Sequence, residues 1–194
     1  MGRAIAVAFD YRCPFARNAH EAVVALIRRG SPIEWHFLAF SLDQSHVEPG
    51  DPPVWERPDN PEWTGLQSAL WGIAVRDQFP DSFLDFHLAA FAARHDHGQR
   101  IQDAAVMRNV ASGVGLDPGA VAAVIASGEP LATLADEHQY CASLGVFGVP
   151  AFIENDDAAF IRFMERGRVD DLELALAVLA NPRINELKHA QVPR

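Results

Sequence analysis

The stretch Phe9-Asp10-Tyr11-Arg12-Cys13-Pro14-Phe15-Ala16 joins an apolar run, Ile5–Phe9, to a helical pattern that extends to Arg29. The apolar run is typical of a buried strand. Proline is favoured at the first position of a helix, because its missing N–H would have no partner there. The sequence therefore predicts a strand, then Cys13 at or near an N-cap, then a helix.

This position favours a reactive thiol at Cys13. The unpaired amide groups of Phe15 and Ala16, together with the helix dipole, favour a negative charge there. Arg12 and Arg17 add positive charge nearby, and the pKa of a cysteine falls in such surroundings. A free cysteine is more commonly a small buried apolar residue. The strand–cysteine–proline–helix context favours the reactive thiol over that alternative.

The composition is that of an ordinary globular protein. Of its 194 residues, 49% are hydrophobic and 22% are charged, close to average usage. The formal net charge of -10 argues against nucleic acids and anionic membranes as partners. Two cysteines cannot form a disulfide framework, and the apolar runs are too short to span a membrane. Because the first residues run directly into the predicted strand without a signal peptide, we expect a cytoplasmic protein.

A second strand is predicted after the first helix. The helix ends at Arg28-Arg29-Gly30, with basic residues in its last turn and a glycine after it. The segment Ile33–Phe40 is rich in aromatic residues and partly alternating, as in a strand. Strand, helix and strand form a β-α-β unit with parallel strands. Residues 41–62 contain five prolines and no periodicity, which predicts a long irregular connection.

Five helical segments are predicted between residues 63 and 144, with no strand pattern among them. Prolines and glycines mark several of their ends, as expected at helix termini. The segments cover about 64–79, 81–95, 101–112, 117–127 and 129–144. This part of the chain is therefore predicted to be a helical insertion.

Three histidines in the insertion raise the question of a metal. A zinc site needs three or four ligands at defined spacing, and no cysteine joins His87, His95 and His97. A solvated helix end, where basic residues favour the dipole, explains them better. We therefore predict no metal. His20 lies on the same helix face as Cys13 but two turns away, too far to act as its base.

The second informative stretch is Val146-Phe147-Gly148-Val149-Pro150-Ala151-Phe152-Ile153. Proline is tolerated at the first position of a strand, so a strand is predicted to begin at Pro150. Residues 154–157 have the composition of a hairpin turn, which leads into a last, antiparallel strand at Ala159–Phe163. A final helix follows, through Leu179. Residues 182–194 are polar and are predicted to form a loose or docking tail.

These elements and two motifs resemble the DsbA family, a thioredoxin fold with an inserted helical domain. The motifs are Asp10–Phe15, at the strand-to-helix junction, and Leu144–Phe152, before the later strands. The resemblance extends from Ile5 to about Leu179. It implies an α/β thioredoxin fold, β-α-β … β-β-α, with an inserted all-helical domain. Kappa-class glutathione transferases and hydroxychromene-carboxylate isomerases are relatives with the same fold and insertion.

The resemblance also implies how the chain divides. Residues 1–62 would form the first part of a thioredoxin-like domain, including the proline-rich loop 41–62. Residues 63–144 would be the helical insertion, its last helix packed on the sheet. Residues 145–181 would complete the thioredoxin-like domain, and 182–194 would be the C-terminal tail.

The site residues follow from the same resemblance. The active-site motif would comprise Cys13, as the catalytic residue, with Arg12, Pro14, Phe15 and Ala16. The Val149–Pro150 peptide bond would be cis and lie against Cys13. Val149 and Pro150 would then bind the substrate, presenting the Val149 backbone to an extended peptide or a thiol beside the sulfur.

One departure from the family affects the chemistry. Its redox members carry Cys-x-x-Cys, and here the fourth position is Ala16. A dithiol enzyme resolves its mixed disulfide with the second thiol, so Cys13 would need an external thiol or the other cysteine. That cysteine is Cys141, on the apolar stripe of the last insertion helix. We predict that Cys141 is structural.

Three functions remain open. The first is a monothiol thiol-disulfide oxidoreductase in which Cys13 attacks a disulfide and a small thiol resolves the adduct. The second is a thiol-dependent transferase or isomerase of the kappa and hydroxychromene-carboxylate isomerase type. The third is a non-catalytic binding module. No bound cofactor is predicted, but a low-molecular-weight thiol such as glutathione, or an analogue, is a candidate co-substrate.

The substrate is expected between Cys13, the loop that contains Val149 and Pro150 (the proline loop) and the helical insertion. Aromatic residues are candidates for lining that space: Trp55, Trp63, Trp71 and Phe79. The partners expected are therefore a small thiol or a disulfide-bearing substrate, with no nucleic acid and no membrane. The sequence leaves the oligomeric state open, a homodimer included.

Overall fold

The fold is described by a computed structural model that covers residues 2–60, 62–181 and 183 of the chain. Its helices and strands follow one another in the order β1 (Ala4–Phe9), α1 (Pro14–Arg28), β2 (Glu34–Ala39), α2 (Leu66–Gln78), α3 (Pro80–His95), α4 (Ala104–Gly113), α5 (Pro118–Ala126), α6 (Glu129–Ser143), β3 (Ala151–Glu154), β4 (Asp157–Phe160) and α7 (Val169–Leu179). Short 3₁₀ turns at Gln44–His46 and Val54–Glu56 lie in the long connection after β2. The predicted tail at 182–194 falls outside the described residues, apart from Arg183.

The four strands form one mixed sheet in the order β2-β1-β3-β4. β1 pairs in parallel with β2 and antiparallel with β3, and β3 pairs antiparallel with β4. β1 is central, and its Ile5, Val7, Ala8 and Phe9 are almost fully buried. The continuous apolar run is therefore explained by burial on both faces of the sheet. The predicted thioredoxin arrangement, with helices between β2 and β3, is confirmed.

The last strand differs from its prediction. We expected Ala159–Phe163, but β4 is Asp157–Phe160. Asn155 and Asp156 both have positive φ, 51° and 65°. They form a two-residue turn of the kind that matches the twist of a hairpin, and Asp157 pairs with Glu154 directly. The chain leaves the sheet after Phe160, and the predicted strand was therefore placed too late.

The insertion covers the outer edge of β2. The Glu137 carboxylate, on α6, accepts a hydrogen bond from the Ala39 amide at 2.6 Å. The Arg76 guanidinium, on α2, donates to the Phe37 carbonyl and pairs with Glu137 at 2.8 Å. An uncovered edge strand would leave its N–H and C=O groups open to another chain. Side chains of the insertion satisfy two of these groups, the Phe37 carbonyl and the Ala39 amide.

No helix among the described residues is by itself both long and apolar enough to cross a membrane. Only α5 and α6 taken together reach such a length and composition, and they are bent by 67° relative to each other.

Candidate functional site

Cys13 is the N-cap residue of α1, as predicted from the proline that follows it. Its backbone is extended, with φ -85° and ψ 117°, and Pro14 is the first residue of the helix. The Ala16 amide donates to the Cys13 sulfur at 3.5 Å. The amide of Cys13 itself donates to the Asp10 carbonyl at 3.0 Å. The turn after β1 and the start of α1 therefore fix the position of this sulfur.

The loop before β3 meets Cys13 from the opposite side. The Val149–Pro150 peptide bond is cis, the isomer that the resemblance implied. The Cys13 thiol donates a hydrogen bond from its Sγ to the Val149 carbonyl at 3.1 Å. Residues 136 positions apart in sequence are thus in direct contact. The structure brings the predicted nucleophile and the predicted substrate-binding residues together.

The pKa of Cys13 is raised, which reverses the expectation from the sequence. Burial of the thiol is the largest cause, and it outweighs the amides of Ala16 and Phe15, which lower the pKa. Asp10 raises the pKa further, and Arg162 lowers it. Desolvation penalises the charged form of any group taken out of water. Cys13 is therefore a protonated, hydrogen-bonded thiol at neutral pH.

Arg12 does not supply the positive charge predicted for it. Its guanidinium pairs with Asp10 at 3.0 Å and with Asp43, and it donates to the Thr64 hydroxyl at 2.8 Å. A Cβ atom on Gly65 would lie 2.6 Å from Nε of Arg12, so only glycine fits beside it. Arg12 therefore joins the end of β1 to the loop after β2 and to the start of α2.

Arg17 is also neutralised by carboxylates. It pairs with Asp96 at 2.8 Å, just beyond the end of α3. Asp96 is shared with Arg166 at 2.9 Å, which itself pairs with Glu21 at 2.6 Å. This cluster connects α1, the end of α3 and the segment before α7. Its charges are balanced within it, and its role is to hold these parts together.

A residue that the sequence did not single out lies beside Cys13. Arg162, between β4 and α7, stacks on Phe15 and Phe160, with its Cζ 5.3 and 5.7 Å from the two ring centroids. The Phe160 ring is in turn 5.0 Å from that of Phe147, which is 71% exposed. The exposure of Phe147 is not visible in the sequence, where this residue lies in an apolar run. No local pattern connects Arg162 to Cys13.

Tyr11, within the same motif, begins a buried hydrogen-bond chain. Its hydroxyl lies 2.8 Å from Nδ1 of His87, whose Nε2 lies 2.9 Å from Nδ1 of His20. Nε2 of His20 lies 3.3 Å from the Ala8 carbonyl. A carbonyl only accepts, so His20 donates there, His87 donates to His20, and the Tyr11 hydroxyl donates to His87. Every polar atom of the three side chains has a partner.

The histidines of the insertion agree only in part with their predicted place at a solvated helix end. His87 is fully buried, not part of a solvated helix end, and burial sets its pKa well below the usual value. His95 lies 2.9 Å from the Tyr11 carbonyl through Nε2, and His97 is exposed. Among the residues that the structure describes, no three His, Cys, Asp or Glu side chains converge as a metal-binding group.

The aromatic residues proposed to line the site have different environments. Trp71 is 2% exposed and belongs to the core. Trp55 packs against His138 at 5.7 Å, and Trp63 lies under the guanidinium of Arg57 at 5.3 Å. Phe79 is partly buried against the core at the end of α2. Trp55 thus attaches the long connection to α6, whereas Trp63 contacts Arg57 of that same connection and is partly buried against the core.

Cys141 is buried on α6 and forms no disulfide. Burial is the first cause that raises the pKa of its thiol, to about 12, and Glu137 adds to the effect. A thiol that is so hard to ionise is a poor nucleophile.

With this geometry in hand, comparison with known proteins decides the family. The sequence profile of the DSBA-like thioredoxin domain matches residues 4–177. The chain belongs to this family. Members of it carry thiol-disulfide oxidoreductase or isomerase chemistry. No curated protein matches the chain in sequence.

Solved structures with the same fold include both chemistries. DsbA of Pseudomonas aeruginosa is 16% identical, with a TM-score of 0.65 over 94% of this chain and 84% of that one. A 2-hydroxychromene-2-carboxylate isomerase is also 16% identical, with a TM-score of 0.65 over 93% of this chain and 97% of that one. A thioredoxin-like oxidoreductase from Silicibacter pomeroyi DSS-3 is 22% identical, with a TM-score of 0.58 over 90% and 86%. At these identities the likeness shows the fold.

Proposed function

We propose that the protein is a thiol-disulfide oxidoreductase that works through one sulfur, that of Cys13, and relies on an external thiol. The observation that carries the proposal is the contact between the Cys13 sulfur and the Val149 carbonyl at 3.1 Å. The only thiol of the motif thus lies against the loop that, in this fold, lies beside the substrate. Arg12, Pro14, Phe15 and Ala16 form the frame around that sulfur.

The reaction has two exchange steps. The Cys13 thiol first loses its proton to water, and the thiolate attacks one sulfur of a disulfide. A new bond joins Cys13 to that sulfur, the original S–S bond breaks, and the other half leaves as a thiolate. A second, external thiolate then attacks the mixed disulfide, which releases a new disulfide and restores the Cys13 thiolate. Ala16 has no sulfur to perform this second step within the chain.

Small thiols fit the second step best. Cys141 is buried, and its thiol ionises only near pH 12. A low-molecular-weight thiol, glutathione or an analogue, can reach the 9% of Cys13 that is exposed. We propose such a thiol as co-substrate, with no bound cofactor, and a cytoplasmic location, where small thiols are kept reduced.

Turnover of bis(2-hydroxyethyl) disulfide by glutathione tests the proposal. Cys13→Ser abolishes catalysis, whereas Cys141→Ser, at the other thiol of the chain, leaves it within about twofold once its folding is verified. Equal loss in both variants, or none in either, would contradict the assignment of Cys13.

Ala16→Cys provides a complementary gain of function. A sulfur three residues after an N-cap cysteine lies on the same side of the first helical turn, so the variant is expected to form a disulfide between Cys13 and the introduced thiol. The introduced thiol then resolves the mixed disulfide in place of an external thiol, and two external thiols reduce the resulting internal disulfide before the next turnover. The matched control is Cys13→Ser combined with Ala16→Cys, which cannot close that bond.

A second function is supported by a specific observation. Cys13 is held as a neutral thiol and has no resolving partner at position 16. A site that binds another thiol without forming a disulfide needs neither a thiolate at Cys13 nor a second cysteine. In that case the protein would be a thiol-dependent transferase or isomerase, and glutathione would be activated without forming an adduct. Conjugation of 1-chloro-2,4-dinitrobenzene that survives Cys13→Ser, with no mixed disulfide in the unaltered protein, would favour this alternative.

A further inference from the structure

Arg162 is held at the site from both sides of its backbone. The amide of Ile161 donates to the Pro150 carbonyl at 3.3 Å, next to the cis peptide bond. The Asn18 side chain, on α1, donates to the Phe163 carbonyl at 2.8 Å. The residue between these two anchors is therefore fixed between the proline loop and the helix that carries Cys13.

The side chain of Arg162 is also preorganised. Its guanidinium lies over the faces of Phe15 and Phe160, as described above. Stacking of this kind restricts a long side chain that would otherwise have many rotamers. A guanidinium stacked on a ring keeps its N–H groups pointing outward in its own plane. These donors are free to meet a ligand.

Arg162 differs in this from the other arginines near Cys13. Arg12 and Arg17 are each paired with carboxylates at 3.0 Å or less. Within the described part of the chain, Arg162 forms no ion pair, and it is exposed. Arg162 is therefore a positive charge without an ion-pair partner in a protein of net charge -10. At the Cys13 sulfur its field is opposed by that of Asp10, which raises the pKa of the thiol while Arg162 lowers it.

We propose that Arg162 recognises a carboxylate on the thiol or disulfide whose sulfur reacts with Cys13. The proposal rests on the thiol-disulfide function and names its substrate class, an acidic thiol compound. The planar fork of a guanidinium fits the two oxygens of a carboxylate. Phe147 offers apolar surface to the carbon chain between carboxylate and sulfur. Arg162 is thus a specificity-determining residue.

The electrostatics of the thiol support the same placement. Arg162 is one of the groups that lower the pKa of Cys13, so its charge acts on the position that the substrate sulfur must reach. When a carboxylate binds, the attack proceeds as written above. The Cys13 thiolate forms a bond to one sulfur, the S–S bond breaks, and the released thiolate carries the second carboxylate away.

Three symmetric disulfides of different charge test the proposal: dithiodipropionate (anionic), bis(2-hydroxyethyl) disulfide (neutral) and cystamine (cationic). The quantity measured is the rate constant for mixed-disulfide formation on Cys13, expressed as the anionic-to-neutral ratio. Each ratio is taken within one variant, so a change in the pKa of Cys13 affects both rate constants and cancels. The same two disulfides are used for every variant, so their leaving groups do not affect the comparison. Arg162→Gln is expected to lower the ratio about fivefold, the range of an exposed ion pair.

Two controls make the test specific. Arg29→Gln removes the same charge at the far end of α1 and is expected to leave the ratio unchanged. In the unaltered protein, raising the salt concentration is expected to lower the ratio, because screening weakens exposed charge pairs. For cystamine, the cationic-to-neutral ratio of rate constants should rise in Arg162→Gln.

An equal change for all three disulfides in Arg162→Gln would overturn the recognition role, since Arg162 would then act only on the thiol. An equal fall of the ratio in Arg29→Gln would also overturn it, because net charge alone would explain the effect. Failure of Cys13 to react with any of the three would instead overturn the thiol-disulfide function, and this inference with it.

Discussion

At the scale of single residues, Cys13 shows two opposing effects on one sulfur. The helix terminus, through the amides of Phe15 and Ala16, favours the thiolate, as the sequence indicates. Burial and the hydrogen bond to the Val149 carbonyl favour the thiol, and burial is the larger effect. The sequence reveals the first effect because it is local. The second requires knowing that a loop more than a hundred residues away covers the sulfur.

The pH dependence of Cys13 alkylation checks this balance. Because burial raises the pKa of the folded thiol, the rate of iodoacetamide labelling should rise with pH through a midpoint above about 8.5, the value for a free cysteine. Arg162→Gln should move the midpoint higher still, since Arg162 lowers this pKa. Measurements in a Cys141→Ser background isolate Cys13. A midpoint below about 8.5 would show that the helix terminus dominates.

At the scale of elements, the insertion stabilises the sheet through side chains on its edge. Arg76 and Glu137 are each about 15% exposed at the side chain and satisfy backbone groups of β2. Removing one member of such a pair leaves the other charge poorly solvated. The pair is therefore expected to act as a unit.

A double-mutant cycle measures this coupling. Glu137→Ala and Arg76→Met should each lower the free energy of unfolding by about 3 kcal/mol. The loss of unfolding free energy in the double variant should be clearly smaller than the sum of the two single losses. Asp77→Ala removes the more exposed partner of Arg76, 38% exposed at the side chain, and should cost about 0.5 kcal/mol. Urea denaturation provides the values. Additive losses would mean that the two residues do not depend on each other.

The elements also show how far the sequence predicts this fold. The Cys13-Pro14 junction and the five insertion helices were predictable, because capping residues, prolines and helical periodicity are local signals. The cis bond before Pro150 and its position beside Cys13 were implied by the family resemblance. β4 was placed too late, since two positive-φ residues, Asn155 and Asp156, begin the hairpin early. Arg162 and the burial of His87 were missed because both depend on contacts between distant segments.

At the scale of the whole molecule, buried histidines join the insertion to the sheet. His87 on α3 contacts Tyr11 and His20 of the thioredoxin-like part. His138 on α6 stacks on Phe40 at 4.3 Å, and its Nδ1 accepts a hydrogen bond from the Ser41 amide at 3.2 Å. All three imidazoles must be neutral in these arrangements. Protonation of any of these imidazoles would therefore break a hydrogen bond within this junction.

Acid should accordingly destabilise the fold before most carboxylates titrate. Burial lowers the pKa of His20 to about 3 and that of His138 to about 4, and it also lowers that of His87. A histidine with a lowered pKa in the folded state contributes stability above its unfolded pKa, about 6.5, and loses it as the pH falls. Between about pH 6.5 and 5, the free energy of unfolding should fall by up to about 1.4 kcal/mol per pH unit per histidine.

His138→Asn makes this prediction specific, because the asparagine oxygen can still accept from the Ser41 amide. The variant should reduce the slope of the unfolding free energy against pH by the contribution of about one proton. A free energy of unfolding that does not change between about pH 6.5 and 5 would contradict the neutral state of the three buried imidazoles.

In the proposed reaction one sulfur, that of Cys13, performs the chemistry, and no second sulfur of the chain resolves the mixed disulfide. A count of free thiols after oxidation tests this most directly. The protein is treated with excess oxidised glutathione, unfolded in acid, and analysed for free thiols and intact mass. We expect one glutathione per chain on Cys13 and one free thiol, Cys141. A chain with no free thiol and no glutathione, joined through a Cys13–Cys141 disulfide, would contradict it.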